Sequence, residues 1–367
     1  MKCAKGFVRL LAFTLVVGAF LAAGCARKTP TTYKIGAVLP LTGPAAAMGE
    51  AARNGIELAV EDINARPGPR RMQIDLRVQD GKNDPTSSVS AFMKLHSEGA
   101  RFCVTFGSGV ALALLPVAER NQVLLLADAA HPDITGKSVY VLRHSNTASQ
   151  EARLLARFSV DRLKASRLAV LWVNDEFGHA FDRQLNAQLK SAGGQVEVVG
   201  NISFEKTEAD FRTHAQKAIA SRPDAIIVVG YGKALGIAVK RLREYRFAGP
   251  ILANLGFVLT PDTIPAAGVA AKGVYHVAFH FDEKSSEYSA LVQRYASRFS
   301  GRMPAWAIIE YNTMRLLAEG LERGEGSVQG VRKAILDLGA FRGVGERMSI
   351  QPTGDILPSL SIQRYNG

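Results

Sequence analysis

The sequence predicts an α/β protein built as two doubly wound lobes, each a parallel sheet covered by helices. Three observations carry that expectation. From Tyr33 onward, short apolar runs alternate with amphipathic segments of helical period, the βαβαβ rhythm that parallel sheets produce. The rhythm breaks at about His144–Thr147 and then restarts, so it is written twice. The 342 residues beyond position 25 also exceed what one hydrophobic core ordinarily holds.

In the first half, Tyr33–Pro40 reads as an apolar strand stopped by its proline, and Ala46–Asn64 as a long amphipathic helix. Met72–Asp80 alternates, with Ile74, Leu76 and Val78 on one face, as a half-buried strand does. Pro85–Ser97 is a helix with proline at the tolerated first turn. Phe102–Phe106 is a strand, Val110–Arg120 a helix and Val123–Ala127 a strand.

In the second half, helix Gln150–Lys164 leads to strand Arg167–Val173 and helix Phe177–Ala192. Strand Gln195–Phe204, helix Glu208–Ser221, strand Ala225–Gly230, helix Lys233–Arg246 and a short strand Pro250–Ala253 follow. Strand Gly273–Phe279 precedes three helices, Ser286–Ser300, Pro304–Arg323 and Val328–Leu338. Two strand-like segments, Glu346–Ile350 and Ile356–Arg364, close the chain. A cleft between two such lobes, at the carboxyl ends of their strands, is the expected ligand position.

The first residues read as an export signal. Lys2, Lys5 and Arg9 form a positive region, an apolar run spans Leu10–Ala23, and small residues lead to Cys25. The run is too short and wrongly flanked for a stable membrane span. Leu21-Ala22-Ala23-Gly24-Cys25 resembles a bacterial lipobox, which implies cleavage after residue 24 and a lipid on Cys25; an ordinary cleaved signal peptide is the alternative. Residues 25–32 then form a polar tether, and the lipid holds the chain at the cell envelope, on its extracytoplasmic side.

Composition narrows the function classes. The formal charge of +12 falls to about +9 once the three signal positives are removed, but Arg and Lys are spread along helices among apolar residues. Nucleic-acid binding needs clustered basic and aromatic residues, so it is not expected. Cys103 is the one cysteine beyond position 25; no internal disulfide can form there, and its apolar neighbours predict an inert buried thiol. No CxxC or His/Cys spacing suggests a metal, no cofactor is expected, and P-loop, GxSxG and HExxH patterns are missing, so an enzyme is not expected.

An ordered set of segments carries a family resemblance. Ile35-Gly36-Ala37-Val38-Leu39-Pro40-Leu41-Thr42-Gly43-Pro44, Met48-Gly49 and Asn54–Ala65 open it. Gln79-Asp80, Asn83-Asp84-Pro85, Ala129–Thr135, Asp175-Glu176-Phe177-Gly178, Asp224-Ala225-Ile226 and Pro352-Thr353-Gly354-Asp355 continue it. Over nearly the whole mature length the chain resembles the Leu/Ile/Val-binding proteins, type I periplasmic solute-binding proteins of branched-chain amino acid ABC transporters. The resemblance implies a three-stranded hinge crossed near residues 145, 277 and 353. Lobe one would hold 33–145 and 278–352, and lobe two 146–277 and 353–367. It also implies closure about a small solute by hinge motion, an ABC permease as partner, and action as a monomer. A sensing receptor that signals without transport remains an alternative.

The resemblance also assigns a site. Ser108 and Gly109, after strand Phe102–Phe106, would hold a solute carboxylate at a helix start, where unpaired N–H groups favour anions. Ala129 and Ala130 would add backbone donors from the loop Asp128–His131. Asp128 is out of place beside an anion, and caps a turn or faces a cationic group; His131 is expected as a surface turn residue. Phe177 is an aromatic contact or the first core residue of its helix, Tyr231 lies at a strand-to-helix turn, and Met48 lies in the first βα loop. Leu255 stands where amino-acid binders of this family carry an acid for the ligand ammonium. Burying an unpaired ammonium costs several kcal/mol, so either Asp128 or Glu176 replaces that acid or the solute lacks an ammonium.

Overall fold

The computed structural model describes residues 31–66, 72–191 and 196–367; the leader at 1–24, Cys25 and the tether through residue 30 lie outside the described residues. Strand β1 (Thr31–Leu39) begins inside the expected tether, because Thr31 and Thr32 continue the parallel ladder against Met72 and Gln73 of β2 (Met72–Asp80). With β3 (Phe102–Phe106), β4 (Leu124–Asp128) and β5 (Val141–Arg143) they form an all-parallel sheet in the order β2-β1-β3-β4-β5.

The second sheet repeats that order. It contains β6 (Arg167–Val173), β7 (Glu197–Phe204), β8 (Ala225–Val229), β9 (Ile251–Ala253) and β10 (Tyr275–Phe279), aligned β7-β6-β8-β9-β10. The last strand of the chain, β14 (Leu360–Arg364), adds antiparallel to β10. In each sheet the winding reverses between two neighbours, β1 and β3 or β6 and β8, which opens a crevice at the carboxyl ends of the strands. Strand interiors such as Val104, Leu126, Leu171 and Val228 are fully buried, as helices on both faces require.

The late helices return to the first sheet. Helix Ala305–Arg323 lies against helix Ala46–Ala65 so closely that a Cβ on Gly55 would sit 2.1 Å from the Ala307 carbonyl oxygen. Arg294, on helix Ser286–Phe299, reaches Asp62 at 2.5 Å, and the Tyr311 hydroxyl donates to the same carboxylate at 2.6 Å. Helix Ala305–Arg323 is therefore enclosed on most sides, which explains its nearly unbroken buried run Trp306–Met314. Among the described residues no helix is long and apolar enough to cross a membrane.

Two passages between the sheets fall later than 277 and 353. β10 keeps its pairing with the second sheet through Phe279. A small antiparallel sheet of β11 (Ala340–Arg342), β12 (Arg347–Ile350) and β13 (Ile356–Leu357) holds the chain near the first sheet through Leu357. The segment Ile356–Arg364 is thus two strands in two sheets, divided at Pro358-Ser359, where proline lacks the N–H a ladder needs.

Candidate functional site

A cavity of about 330 Å³ lies between the two sheets at their carboxyl ends. All nine residues singled out from the sequence line it: Met48, Ser108, Gly109, Asp128, Ala129 and Ala130 from the first lobe, and Phe177, Tyr231 and Leu255 from the second. Phe106, Trp306, Ser145, Asn146, Glu151 and Asp175 complete much of the wall, together with Glu176, Glu205 and Lys206.

The first-lobe wall is made of helix and strand ends. Gly107 caps helix Ser108–Asn121 with φ +95°, a conformation glycine adopts without strain. That turn puts the free N–H groups of the helix start at the end of β3, a ready anion site. A Cβ on Gly109 would lie 2.6 Å from Glu176 Oε2, so an acid of the opposite lobe rests over this helix start. Ala129 and Ala130 follow β4, and the Ala130 carbonyl accepts the Ala148 N–H at 2.9 Å, tying their loop to the first passage between lobes.

Asp128 is the last residue of β4 rather than part of the loop, paired in register with Phe106. It is buried with His144 and Glu310, the three donor atoms lying within 4.8 Å of one another. His144 Nε2 is 2.9 Å from Glu310 Oε1. Burial pushes the Asp128 carboxyl up to about 7; His144 opposes this and Glu310 reinforces it. Burial pulls His144 down, but the Glu310 and Asp128 carboxylates more than offset that and leave it raised. Asp128 Oδ2, His144 Nδ1 and Glu310 Oε2 have no hydrogen-bond partner among the described residues. The trio has metal-ligand chemistry that no local spacing revealed, because β4, the residue after β5 and a late helix supply one member each.

The second-lobe wall contains a further buried acid, Glu151, which the sequence reading missed. It lies on helix Ala148–Arg157, whose start is closed by a Thr147–Gln150 capping box. Glu151 Oε2 accepts the Leu255 N–H at 2.6 Å, and Oε1 accepts the Asn146 amide at 2.5 Å. Burial raises its pKa to about 7 against those two donors. So where an acid was expected at 255, the Leu255 backbone instead leans on an acid supplied from another helix.

Phe177 packs edge-on against Phe181 at 5.7 Å and also lines the cavity. The Tyr231 hydroxyl donates to Asp175 Oδ2 at 2.6 Å, and the Gly178 N–H donates to Asp175 Oδ1 at 2.9 Å. Burial raises Asp175 against those hydrogen bonds. Trp306 stacks edge-on against Phe106 at 5.0 Å and leaves its buried Nε1 without a partner among the described residues. Nothing in its local sequence distinguishes it from a core tryptophan.

His131 corrects the expectation of a surface residue. It is buried; its Nδ1 accepts the Asp133 N–H at 3.1 Å, and Arg143 donates to its carbonyl at 2.6 Å. The buried Arg143 side chain thus ties the turn to the end of β5. Cys103 is buried as expected, its thiol pushed up to about 12 by burial.

Two facing parallel-sheet lobes with a polar cleft between them match a known protein family. The family model described as periplasmic binding protein covers residues 32–362. The chain belongs to that family. This periplasmic binding protein is 28% identical over 339 residues to the Leu/Ile/Val-binding protein BraC3 of Rhizobium johnstonii, with 90% of each chain covered. It is 22% identical over 312 residues to the leucine-, isoleucine-, valine-, threonine- and alanine-binding protein of Pseudomonas aeruginosa, covering 83% of this chain and 82% of that one. The fold superposes on the branched-chain amino acid transporter substrate-binding protein LivJ of Streptococcus pneumoniae in complex with isoleucine, with TM-score 0.83 at 22% identity over 92% and 97% of the two chains. It also superposes on an ABC-transporter solute-binding protein of R. palustris in complex with benzoate, with TM-score 0.81 at 20% identity over 92% and 94%. The periplasmic binding protein described here is thus a type I member with two doubly wound lobes, similar along most of its length to Leu/Ile/Val-binding proteins.

Proposed function

We propose that this protein is the receptor of an ABC importer, lipid-anchored at Cys25 on the extracytoplasmic face of the envelope, and that its lobes close as a monomer on a small amino acid. The solute carboxylate meets the helix start at Ser108–Gly109 and the amides of Ala129 and Ala130. Its ammonium meets Glu151, and its side chain lies among Met48, Phe106, Phe177, Leu255 and Trp306. The observation that carries this reading is the burial of Glu151, 1% exposed, on the cavity wall beside Leu255. A carboxylate so far from water gains most from a cationic partner. The acid-rich lining, with Lys206 as the lone lysine among its described residues, is consistent with a solute that carries positive charge.

A second reading has its own observation. Leu255, Phe106 and Trp306 make much of the wall apolar, and one relative of similar fold is in complex with benzoate. A carboxylic acid without an ammonium would then fit. Calorimetry decides between them. L-leucine should bind, 4-methylpentanoate (leucine without its ammonium) should bind at least about 30-fold more weakly, and Glu151→Gln should remove most of that difference. Benzoate or 4-methylpentanoate binding as tightly as leucine would overturn the amino-acid reading.

A further inference from the structure

The outer edge of the second sheet has a charge that solute binding does not use. Parallel strands put all their amino ends on one edge, and here that edge is the pole away from the cleft. Along it, neighbouring strands each bring a cation. Lys164 and Arg167 stand before and at the start of β6, Arg222 before β8, and Arg246 in the turn before β9. Lys272 precedes β10, and Arg364 ends the antiparallel β14. We infer that this edge, with the turn Gly268–Ala271 beside it, is a docking surface for a lipid bilayer rich in anionic headgroups.

The fold gathers a charge that the sequence scatters. Arg167 Nε donates to the Arg222 carbonyl at 3.0 Å, and the Ile226 N–H donates to the Pro250 carbonyl at 3.0 Å, joining the starts of β6, β8 and β9. The Gly273 N–H donates to the Tyr365 carbonyl at 2.8 Å, and the Arg364 guanidinium lies over the Tyr275 ring at 5.8 Å, joining β10 to β14. With strands about 4.8 Å apart, the row runs roughly 20 Å across the sheet. All six cations are exposed.

The acids nearby leave most of that charge unmatched. Glu197 pairs with Arg167 at 3.1 Å, and Asp224 Oδ2 accepts the Ser166 and Arg167 N–H groups at 2.8 Å each. Glu244 is shared by Lys240 and Arg241 at 4.0 and 2.6 Å, and Asp161, in the turn before Lys164, is followed by Arg162. Among the described residues no carboxylate pairs with Lys164, Arg222, Arg246, Lys272 or Arg364.

Cations at helix carboxyl ends are common, because the macrodipole favours them there, so the row alone would not name a partner. Val269 does. It is 98% exposed, the most exposed large apolar side chain among the described residues, and stands three residues before Lys272. Its neighbours Ala270 and Ala271 are buried, and Gly268, at φ +58° with open space around it, turns the chain outward. A single surface valine is ordinary. An apolar tip at the end of a basic row is what a bilayer interface takes up, the tip among the headgroups and the cations on their phosphates. A soluble polyanion would leave Val269 in water, and nucleic acid would want exposed rings to stack on, whereas Tyr245, Tyr275 and Tyr365 are only part-exposed.

Thr31, where the chain enters β1, lies on the matching edge of the first sheet, at the other pole. The row is therefore a contact of the lobe that the tether does not hold, and it is independent of Cys25 and of the solute. High salt screens it, so membranes washed in high salt report the Cys25 lipid alone.

The test reads the edge itself. The full chain as isolated from cells, with Val269→Cys bearing an environment-sensitive fluorophore, is mixed with vesicles of phosphatidylcholine alone or with phosphatidylglycerol in equal parts. Cys103 is buried and does not compete for the label. Emission should shift to the blue, and be quenched by brominated acyl chains, only with phosphatidylglycerol, and high salt should reverse both. Lys164→Gln, Arg222→Gln, Lys272→Gln and Arg364→Gln together should weaken the contact at least about a hundredfold, at about fivefold per cation. Neutralising Arg101, Arg120, Arg302 and Arg342 of the first lobe removes the same net charge and should leave the contact unaltered. Should the fourfold variant fail to unfold cooperatively, Lys272→Glu alone, on an exposed turn, should weaken the contact at least about fivefold. No shift with phosphatidylglycerol, an equal shift with both vesicles, or an equal loss in the first-lobe control overturns the proposal. So does duplex DNA or polyphosphate bound as tightly as the anionic vesicles with no shift at position 269.

Discussion

The Arg143 guanidinium holds Asp355 through two nitrogens on one oxygen, Nε at 2.8 Å and Nη2 at 2.6 Å from Oδ1. The contact joins the end of β5 to the segment just before the chain's last passage, and the two residues also form an isolated parallel bridge. Thr135 donates to the same Oδ1 at 2.6 Å, and Thr353 donates to Oδ2 at 2.8 Å. Arg143 Nη1 meanwhile reaches the His131 carbonyl at 2.6 Å, so one buried side chain fixes both a hinge strand and the loop that carries Ala129 and Ala130. Charge-assisted hydrogen bonds of this length are strong, which suits a pivot for the lobe closure proposed above.

Removing that guanidinium should be costly. Arg143→Ala leaves Asp355 half-buried beside threonine hydroxyls alone, and breaking a buried ion pair costs about 3–5 kcal/mol. Urea unfolding should show that loss, and Arg143→Lys should recover less than half, because an ammonium cannot reproduce the guanidinium fork. A midpoint within error of wild type for Arg143→Ala would show that the contact does not bear on stability. Burial raises Asp355, but Thr135, Arg143 and Thr353 outweigh it and hold its pKa below 3.8. Its contribution is therefore present above that value and lost as pH falls through the lower folded-state value.

Glu151 gives stability the opposite slope. Its folded-state pKa of about 7 lies above the reference 4.5, so the folded protein holds a proton that the unfolded chain releases between those values. Stability should decline as pH rises from about 4.5 to 7 and level off above that, by roughly 3 kcal/mol from this group. Glu151→Gln should flatten the decline in a thermal-melt series. An unchanged slope would mean that Glu151 is ionised in the folded protein.

The fold was legible because its signals are local. Strands β2, β3 and β6 and helix Pro85–Ser97 begin and end where alternation, apolar runs and the first-turn proline say they should. Missed strands such as β5 and β11 have three residues each, too few to show a period of two. In the site, the family resemblance marked Ser108, Gly109, Ala129 and Ala130, and their places after β3 and β4 brought them to the cavity, since a βα turn places its residues at the carboxyl edge whatever the rest of the chain does. Glu151, His144, Glu310 and Trp306 had no such mark. Each sits in an ordinary helix or strand end, and only the return of helix Ala305–Arg323 to the first lobe and the packing of helix Ala148–Arg157 bring them to the cavity.

Gly109 separates binding from folding. Its backbone is helical, and the three atoms nearest to an added methyl all belong to the carboxylate tip of Glu176, the far end of a flexible side chain. Alanine also favours the helix over glycine by up to about 1 kcal/mol. Gly109→Ala should therefore melt at or slightly above the wild-type temperature, yet bind leucine at least about tenfold more weakly, since the methyl fills space on the cavity wall. Unaltered affinity would place the carboxylate elsewhere in the cleft.

Cys25 tests the anchor apart from the receptor. None of the helices among the described residues is long and apolar enough to cross a membrane, and the attachment proposed is the lipid at Cys25. Each buried methylene contributes about 0.8 kcal/mol, and a single acyl chain holds a protein only marginally, so a stable anchor needs more than one. Cys25→Ser cannot carry a thioether-linked lipid. In detergent-free fractionation the variant should move from membrane to soluble fractions or be retained as an uncleaved precursor with its apolar leader; mass spectrometry separates these outcomes. Leucine affinity of the soluble form should match wild type, because Cys25 precedes the first strand and Met48 is the first of the described residues to line the cavity. A Cys25→Ser protein that is correctly cleaved yet still sediments with membranes would refute lipid anchoring at this residue and leave the solute site untouched.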